Sequence, residues 1–279
     1  MKCNPWVGGS IGRRGFPMLG TGKRGLSTFI KDIFRNGEQG FFYDPNDLST
    51  MFQDAAGTIS VTAVGQPVGL IRDKSGRNNH AFQTVSASRP ILQRNATTGA
   101  YYLAFDGADD FLQTNSINFT ATDKVSLFAG VRKLSDASAA MVIEFSNSIV
   151  SNSGSFTMYA PGASPATFGI GVKKLSTVEY ALLLNGEYKA PISTVITGFA
   201  TSADISLKLD SKLKVRTISG YMQGNYGNHP IYIGRRGGTT LPFSGHIYGL
   251  IGIGKLVSDD ETVVIEKELA KRTGATLNV

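Results

Sequence analysis

Short apolar runs separated by turn residues dominate the chain after residue 40. In the run YYLAF, apolar positions alternate, so Tyr101, Leu103 and Phe105 share one face of an extended strand. Repetition of such runs with turn punctuation predicts an all-β sandwich. The candidate strands are Val125–Lys133, Ala140–Asn147, Phe156–Ala160, Thr167–Val172, Glu179–Leu184, Ala190–Phe199, Ile205–Leu209, Lys212–Ile218, Pro230–Gly234 and His246–Lys255.

Two dipeptides are candidates for hairpin turns. Asn185-Gly186 lies between apolar runs and suits a type I′ turn, which makes it a strong hairpin signal. Asp210-Ser211 is a weaker signal between two candidate strands. Both predict that the strands on either side pair with each other.

The C-terminal region has the pattern of a helix. Ser258 is a candidate N-cap with Glu261 three residues later, which is a capping box. Gly274 supplies a stop, so the helix is predicted over Asp259–Thr273. The side expected to pack on the sandwich contains Val264, Ile265 and Leu269.

Residues 1–40 have the composition of an arm, and residues 41–279 form the predicted sandwich with its helix. The first part of the arm is rich in glycine, which disfavours a stable element. Its segment Ser27–Arg35 predicts a short helix with one apolar face. That face needs a partner, either the chain's own sandwich or another subunit. We favour neighbouring subunits of a large assembly.

Positive charge is concentrated in this arm. Residues 1–35 hold seven basic residues against one acidic residue, whereas the remainder is balanced to within one charge. The arm is therefore predicted to anchor the chain, and the nearly neutral main domain argues against specific nucleic-acid binding. Removal of residues 1–36 is expected to leave a folded sandwich. The anchor residues are Arg13, Arg14, Lys23, Arg24, Phe29, Ile30, Ile33 and Phe34.

Two segments carry a family resemblance, and each contains a turn-rich cassette, DKSGRNNHA in the first and FDGADD in the second. The segments are FYDPNDLSTMFQDAAGTISVTAVGQPVGLIRDKSGRNNHAFQ, which begins at Phe42, and YYLAFDGADDFL, which ends at Leu112. They resemble the start of laminin-G-like, concanavalin A-like β-sandwiches in structural proteins of tailed bacteriophages. The resemblance implies an antiparallel β-sandwich within a virion protein made in the bacterial host cytoplasm, in many copies or as a homo-oligomer.

Cysteine content and hydropathy agree with a cytoplasmic origin. Cys3 is the single cysteine, so no intrachain disulfide can form. The N-terminal sequence lacks the apolar core of a secretory signal. No apolar run approaches the roughly 18 residues of a membrane helix, so no membrane partner is expected.

Catalytic patterns are weak throughout the sequence. The three histidines are scattered, and neither a nucleophile elbow nor a phosphate-binding loop occurs. Glycosidases need two facing carboxylates. Glu144 and Glu179 could share a groove, whereas the side chains of Asp109 and Asp110 should diverge from an extended chain. We predict no enzymatic activity and no cofactor.

Metal binding has two candidate positions. His80 could be a ligand, but packing at the turn edge with its ring bonded to backbone is favoured. Laminin-G-like domains often hold calcium at the sandwich rim, and Asp106, Asp109 and Asp110 provide oxygen donors in a loop. A simple Asp106-Gly107 turn with solvated neighbours is favoured, so no metal is predicted.

The segment YMQGNYGN combines aromatic rings with amide groups, which suits sugar binding. Its candidate ligand-binding residues are Tyr221, Asn225, Tyr226 and Asn228. The predicted function is a virion structural protein, anchored by its arm, whose sandwich binds host-surface glycans as a tail fibre or appendage does. The alternative is an architectural capsid-decoration or tail-joining protein that binds only other virion proteins.

Overall fold

The computed structural model describes residues 26–163, 167–184, 186–220 and 222–278, and they form an antiparallel β-sandwich. The predicted fold class is therefore confirmed. Its helices are α1 (Leu26–Ile33) and α2 (Asp259–Thr273). Its strands are β1 (Gly40–Tyr43), β2 (Met51–Phe52), β3 (Leu70–Ile71), β4 (Ala81–Phe82), β5 (Ile91–Arg94), β6 (Tyr101–Asp106), β7 (Leu112–Thr114), β8 (Ile117–Asn118), β9 (Val125–Lys133), β10 (Met141–Phe145), β11 (Ser155–Tyr159), β12 (Phe168–Lys173), β13 (Glu179–Leu183), β14 (Ile192–Ala200), β15 (Asp204–Leu209), β16 (Lys212–Ile218), β17 (Asn228–His229), β18 (Ile231–Ile233) and β19 (Ser244–Ile253).

Two sheets build the sandwich. Within the described residues, the first sheet has the order β16-β15-β14-β9-β19-β6-β5, and β1 also pairs with β19. The second sheet has the order β13-β12-β11-β10-β18-β7-β4-β3-β2. A short ribbon pairs β17 with β8. Strands distant in sequence are thus neighbours, for example β9 between β14 and β19.

Most predicted strands are present. β9 and β16 have the predicted bounds, and the predicted strand Ala190–Phe199 is observed as Ile192–Ala200. The helix Asp259–Thr273 also has the predicted bounds. Apolar periodicity located these elements because each contributes one face to the core.

Of the two predicted hairpin turns, the one at Asp210-Ser211 is confirmed. Asp210 and Ser211 have φ values of 50° and 69°, and they connect the paired strands β15 and β16. Asn185 lies outside the described residues, but the strands before and after it, β13 and β14, belong to different sheets. The predicted hairpin at Asn185-Gly186 is therefore wrong, because the segment crosses between sheets.

The main core lies between the two sheets. Phe145 stacks on Phe156 with 4.8 Å between ring centroids, and Phe119 meets both rings edge-on. Leu127 from the first sheet joins the same buried cluster. Aromatic pairs of this kind add to the stabilisation from apolar burial.

A second apolar cluster covers the outer face of the first sheet. Ile30, Ile33 and Phe34 of the α1 region are buried there with Phe128 of β9 and Leu269 of α2. Phe29, which is partly buried, packs against the same cluster. The preference for docking this helix on a neighbouring subunit is wrong, because the apolar surface of the sheet already buries it.

Two cations fix the end of this segment. Lys255 donates from Nζ to the carbonyl of Ile33 over 2.6 Å, and Arg77 donates to the carbonyl of Phe34. These bonds satisfy carbonyl groups that a helix C-terminus leaves without partners. The predicted anchor residues Arg13, Arg14, Lys23 and Arg24 lie outside the described residues.

Helix α2 has the predicted cap, and two of the three residues predicted to pack on the sandwich are buried, whereas Val264 is half-buried. The backbone N–H of Glu261 donates to Ser258 Oγ, and the Glu261 carboxylate accepts from the backbone N–H of Ser258. Ile265 and Leu269 are buried against the sheet, as predicted, and Glu266 accepts a 2.7 Å hydrogen bond from Thr197 Oγ1. No helix among the described residues is long and apolar enough to cross a bilayer.

Replacing Ser258 with alanine should lower the free energy of unfolding by about 0.5–2 kcal/mol, because an N–H at the helix start loses its acceptor. Urea denaturation followed by circular dichroism measures the change. Ser116→Ala, in an exposed loop, is the matched control and should stay within about 0.5 kcal/mol of the wild type. Equal stability of the Ser258 variant and the wild type would contradict the prediction.

Candidate functional site

The outer face of the second sheet carries a row of aromatic and polar side chains. Strand register places its members opposite one another, so their side chains share the face that points away from the main core. The row consists of Phe52, Leu70, Phe82, Gln113, Tyr232, Glu144, Thr157, Gly171 and Tyr180. We call this surface the aromatic face. Both helices pack on the other sheet, so no helix among the described residues covers this face, although the side chains of Glu144 and Thr157 are buried on it.

One end of the aromatic face contains a polar cleft of about 660 Å³, which we call the Arg72 cleft. Its floor is formed by β3 and β4, and the turn after β3 forms its wall. Its polar and aromatic lining is provided by Arg72, Asn78, Asn79, His80, Phe82 and Asn115. The volume lies within the range of clefts that bind small molecules.

A buried carboxylate fixes the turn that forms this wall. Asp73 Oδ1 accepts hydrogen bonds of 2.8 Å from the backbone N–H groups of Phe42 and Ser75. Asp73 Oδ2 accepts from Ser75 Oγ over 2.7 Å and from the backbone N–H of Asn79 over 3.0 Å. The sequence cassette DKSGRNNHA therefore folds as a rigid unit, and it presents the side chains that follow Asp73 to the cleft.

The cleft offers hydrogen-bond donors beside an aromatic ring. The exposed Arg72 guanidinium lies 4.5 Å from the centroid of the Phe52 ring. His80 Nδ1 accepts from the backbone N–H of Asp73 over 3.1 Å, so its proton is on Nε2. This bond confirms the expectation that the His80 ring is bound to turn backbone. The half-buried ring of Phe82 and the exposed amide of Asn115 complete the lining.

A smaller hollow of about 370 Å³ lies at the other end of the aromatic face. Tyr159 and Tyr180 line it, with ring centroids 6.2 Å apart, and Arg236 contributes to its wall. Arg236 donates from Nε to Glu144 Oε2 over 2.8 Å and from Nη2 to the Tyr159 hydroxyl over 3.0 Å. The hollow therefore has apolar walls and an ion pair at its edge.

Two opposing effects act on the pKa of Glu144 in this ion pair. Burial raises the pKa of Glu144, and the Arg236 guanidinium partly opposes that change. The other carboxylate oxygen accepts a 2.6 Å hydrogen bond from the backbone N–H of Ile149. Both oxygens of Glu144 are therefore occupied, and its side chain is fully buried.

The two acidic residues that could have formed a glycosidase pair are separated. Glu144 shares its face with Tyr180, and Glu179 precedes Tyr180 on β13, so Glu179 points to the opposite face. Their strands are also three positions apart in the sheet, or about 14 Å. The sequence allowed Glu144 and Glu179 to share a groove, but the structure does not bring them together.

The predicted sugar loop lacks its aromatic platform. Tyr226 is only 2% exposed, and its ring meets Phe156 edge-on with centroids 5.4 Å apart. The assignment of Tyr226 as a ligand-binding residue is wrong, because a buried ring cannot stack on a sugar. Asn225 and Asn228 are exposed, and Asn225 donates to the carbonyl of Thr120 over 2.8 Å. Tyr221 lies outside the described residues.

The acidic turn after β6 gathers three carboxylates. Ligand oxygens of Asp106, Asp109 and Asp110 all lie within 4.8 Å of one another. The expectation that Asp109 and Asp110 diverge is wrong, because this segment is a turn and not an extended strand. Asp106 Oδ1 accepts from the backbone N–H groups of Ala108 and Asp109, and Ser88 donates to Asp109 Oδ2 over 2.8 Å. These bonds agree with a self-contained turn.

Replacing Asp110 with asparagine should stabilise the protein at high pH. Burial, with a further contribution from the Asp106 charge, raises the pKa of Asp110 from 3.8 to about 6. The folded state then holds this proton more tightly than the unfolded state, so wild-type stability falls as the pH rises through that interval. Asparagine cannot ionise, so the variant should gain about 1–3 kcal/mol at pH 8 and almost nothing at pH 3.5.

Chemical denaturation at both pH values measures this gain. Each titration is run in EGTA and again in excess calcium, because a bound cation would stabilise the ionised wild type and reverse the order at pH 8. A gain that is equal at both pH values would contradict the titration of Asp110. The prediction that no metal binds is tested by the same comparison.

Comparisons with known proteins show the fold. No protein-family model matches the sequence, and no curated protein matches it either. Botulinum neurotoxin type C, whose cell entry depends on two ganglioside molecules, is 10% identical with a TM-score of 0.56, over 87% of this chain and 52% of that chain. The botulinum neurotoxin serotype D binding domain is 12% identical with a TM-score of 0.56, over 84% and 52%.

A third structure, the binding domain of botulinum neurotoxin DC in complex with SialylT, is 13% identical with a TM-score of 0.52, over 81% of this chain and 52% of that chain. This chain therefore spans about half the length of the structures it matches. At such identities the similarity establishes a β-sandwich like that of receptor-binding domains, and nothing about ligands.

Proposed function

We propose that this chain is a carbohydrate-binding β-sandwich of a virion structural protein from a tailed bacteriophage. The resemblance of the segment Phe42–Leu112 to such proteins supports the phage setting. The β-sandwich fold, shared with receptor-binding domains, supports adhesion rather than catalysis. In this proposal the protein is made in the bacterial cytoplasm and resides in the virion in many copies.

The Arg72 cleft carries the adhesion part of the proposal. It combines an exposed guanidinium, exposed amides and a ring, which are the groups that recognise sugar hydroxyls and carboxylates. A neurotoxin domain of similar fold was solved with N-acetylneuraminic acid, an acidic sugar. We therefore expect a saccharide that bears a carboxylate, with its acidic group on Arg72.

A glycan array with the full chain tests this function. Binding to acidic saccharides should fall at least tenfold in Arg72→Ala, because a charge-assisted hydrogen bond is worth about 1.5–3 kcal/mol. Arg35→Ala, which removes an exposed arginine on the segment after α1, should bind as the wild type does. If the wild type binds no glycan, adhesion is refuted. If the wild type binds and Arg72→Ala binds equally well, the glycan does not bind in the Arg72 cleft.

The same proposal assigns no catalysis to the sandwich. Glu144 is buried with both oxygens bonded, and Glu179 lies on the opposite face, so these two carboxylates do not flank a common groove. Incubation with the saccharides that bind on the array should release no reducing ends. Release that is lost in Glu144→Gln would overturn this assignment.

Attachment to other virion proteins is assigned to residues 1–25. These residues hold five basic and no acidic side chains, whereas the apolar residues that follow are buried in the chain's own second cluster. The proposed anchor residues are therefore Arg13, Arg14, Lys23 and Arg24. Deletion of residues 1–25 should leave glycan binding intact and abolish incorporation into particles.

The architectural alternative has one observation in its favour. Strand β16 is an edge of the first sheet, where Leu213 and Ile218 are 53% and 75% exposed. Exposed apolar side chains on an edge strand suit contacts between proteins. An array without binding, together with normal incorporation of Arg72→Ala into particles, would favour this second function.

A further inference from the structure

A second groove lies on the outer face of the first sheet, at the end that strands β5 and β6 form. Strand register places Ala104, His246 and Arg132 side by side on β6, β19 and β9. The groove has a volume of about 430 Å³. Its principal lining is provided by Arg94, Asn95, Tyr102, Arg132, His246 and Tyr248.

Positive charge in this groove is not neutralised by protein groups. Within the part of the chain that the structure describes, no carboxylate lines the groove, and the partly buried Arg132 side chain makes neither an ion pair nor a hydrogen bond. Arg94 donates from Nε only to a backbone carbonyl, that of Gly99, over 2.8 Å. A guanidinium that loses water without gaining a partner is costly, and an external anion removes that cost.

The remaining wall is aromatic and uncharged. Tyr102 stacks on His246 with 4.1 Å between centroids and 17° between planes, and Tyr248 lies 5.0 Å from Tyr102. Asn95 donates from Nδ2 to the Tyr248 hydroxyl over 3.0 Å, which fixes that ring. Burial, with a further contribution from Arg132, lowers the pKa of His246 to about 4, so the imidazole is neutral at pH 7.

His246 also leaves a polar atom without a partner. Its Nδ1 is buried, and within the described residues it makes no hydrogen bond. A neutral imidazole has one ring nitrogen that donates and one that accepts, and this nitrogen uses neither capacity within the described residues. The groove thus combines two guanidinium groups that have no carboxylate partner with an aromatic wall, and guanidinium groups are the side chains that best bind an oxyanion.

We propose that this groove binds an oxyanion, of the phosphate or carboxylate type, between Arg94 and Arg132. Guanidinium groups pair with both geometries through parallel N–H···O bonds. The aromatic wall suits a ligand in which the anionic group is carried by a sugar ring. This site lies on the opposite sheet from the Arg72 cleft, so it does not depend on the function proposed for that cleft.

NMR titration of the full chain at constant ionic strength tests the site. The probes are inorganic phosphate, glucose 1-phosphate and glucuronate, with chloride as the background anion. At least one probe should shift the His246 imidazole resonances in a saturable way. Greater affinity for glucose 1-phosphate than for inorganic phosphate would identify a sugar-borne phosphate, and binding of glucuronate alone would identify a carboxylate.

Variants decide whether the groove is responsible. Arg132→Gln should weaken binding at least tenfold, and Arg94→Gln should weaken it several-fold, whereas Arg35→Gln should bind as the wild type does. Arg94→Gln serves as the test if Arg132→Gln fails to fold. The proposal is overturned if no probe shifts the His246 resonances, or if both groove variants retain wild-type affinity.

Discussion

Replacing Phe34 with alanine should destabilise the protein by about 3–5 kcal/mol, the range for deletion of a buried aromatic ring. Phe34 is 1% exposed and packs in the cluster that also contains Phe42 and Val257. Its removal leaves a cavity beneath α1 that the rigid sheet cannot fill. Urea denaturation at pH 7 measures the loss. The variant should still fold, because the main core between the sheets is unchanged.

Two controls separate packing from anchoring. Phe29→Ala removes the same ring from the same segment, but Phe29 is only partly buried, so its cost should be clearly smaller. Deletion of residues 1–36 should cost at least as much as Phe34→Ala, and it should cost more than deletion of residues 1–25, which leaves the buried residues of this cluster in place. We earlier expected removal of residues 1–36 to leave a folded sandwich. Because part of this segment is buried, we now expect that removal to lower the free energy of unfolding. If the two deletion variants had equal free energies of unfolding, the packing of Ile30, Ile33 and Phe34 on the first sheet would be contradicted.

The location of strands and helices could be predicted well, because those elements depend on local patterns. Strand β9 and helix α2 have the predicted bounds, since alternation marks one and a capping box marks the other. Strand pairing could not be predicted in the same way. The sequence places β13 and β14 as consecutive strands, yet they belong to different sheets, and only the packing of the whole chain decides this.

The aromatic face and its clefts form only when particular strands pair, so the sequence did not predict them. The aromatic face draws its row from strands between residues 51 and 233, and register alone brings Phe82 beside Gln113 and Tyr232 beside Glu144. Tyr226 has the composition of a binding loop but fills the core. A usable signal was present in Arg72, a charged residue that follows an apolar run directly and precedes a rigid turn.

Replacing Arg236 with alanine should cost about 3–5 kcal/mol at pH 8, because it leaves the carboxylate of Glu144 buried without its counter-ion. Arg236 is the residue that holds this pair to Tyr159 at the edge of the smaller hollow. The double variant Arg236→Ala with Glu144→Gln should recover part of the loss, since the glutamine carries no charge. Arg216→Ala breaks an exposed ion pair with Asp204 and should cost no more than about 1 kcal/mol.

The dependence on pH distinguishes loss of charge pairing from loss of packing. Burial already raises the pKa of Glu144 in the wild type, and removing Arg236 takes away the opposing charge and raises it further. The folded variant therefore holds the proton more tightly than the unfolded chain does, and its deficit relative to the wild type should shrink as the pH falls. Chemical denaturation at pH 8 and pH 4 measures the two deficits. A deficit that is equal at both pH values would show that Arg236 acts through packing of its side-chain stem alone.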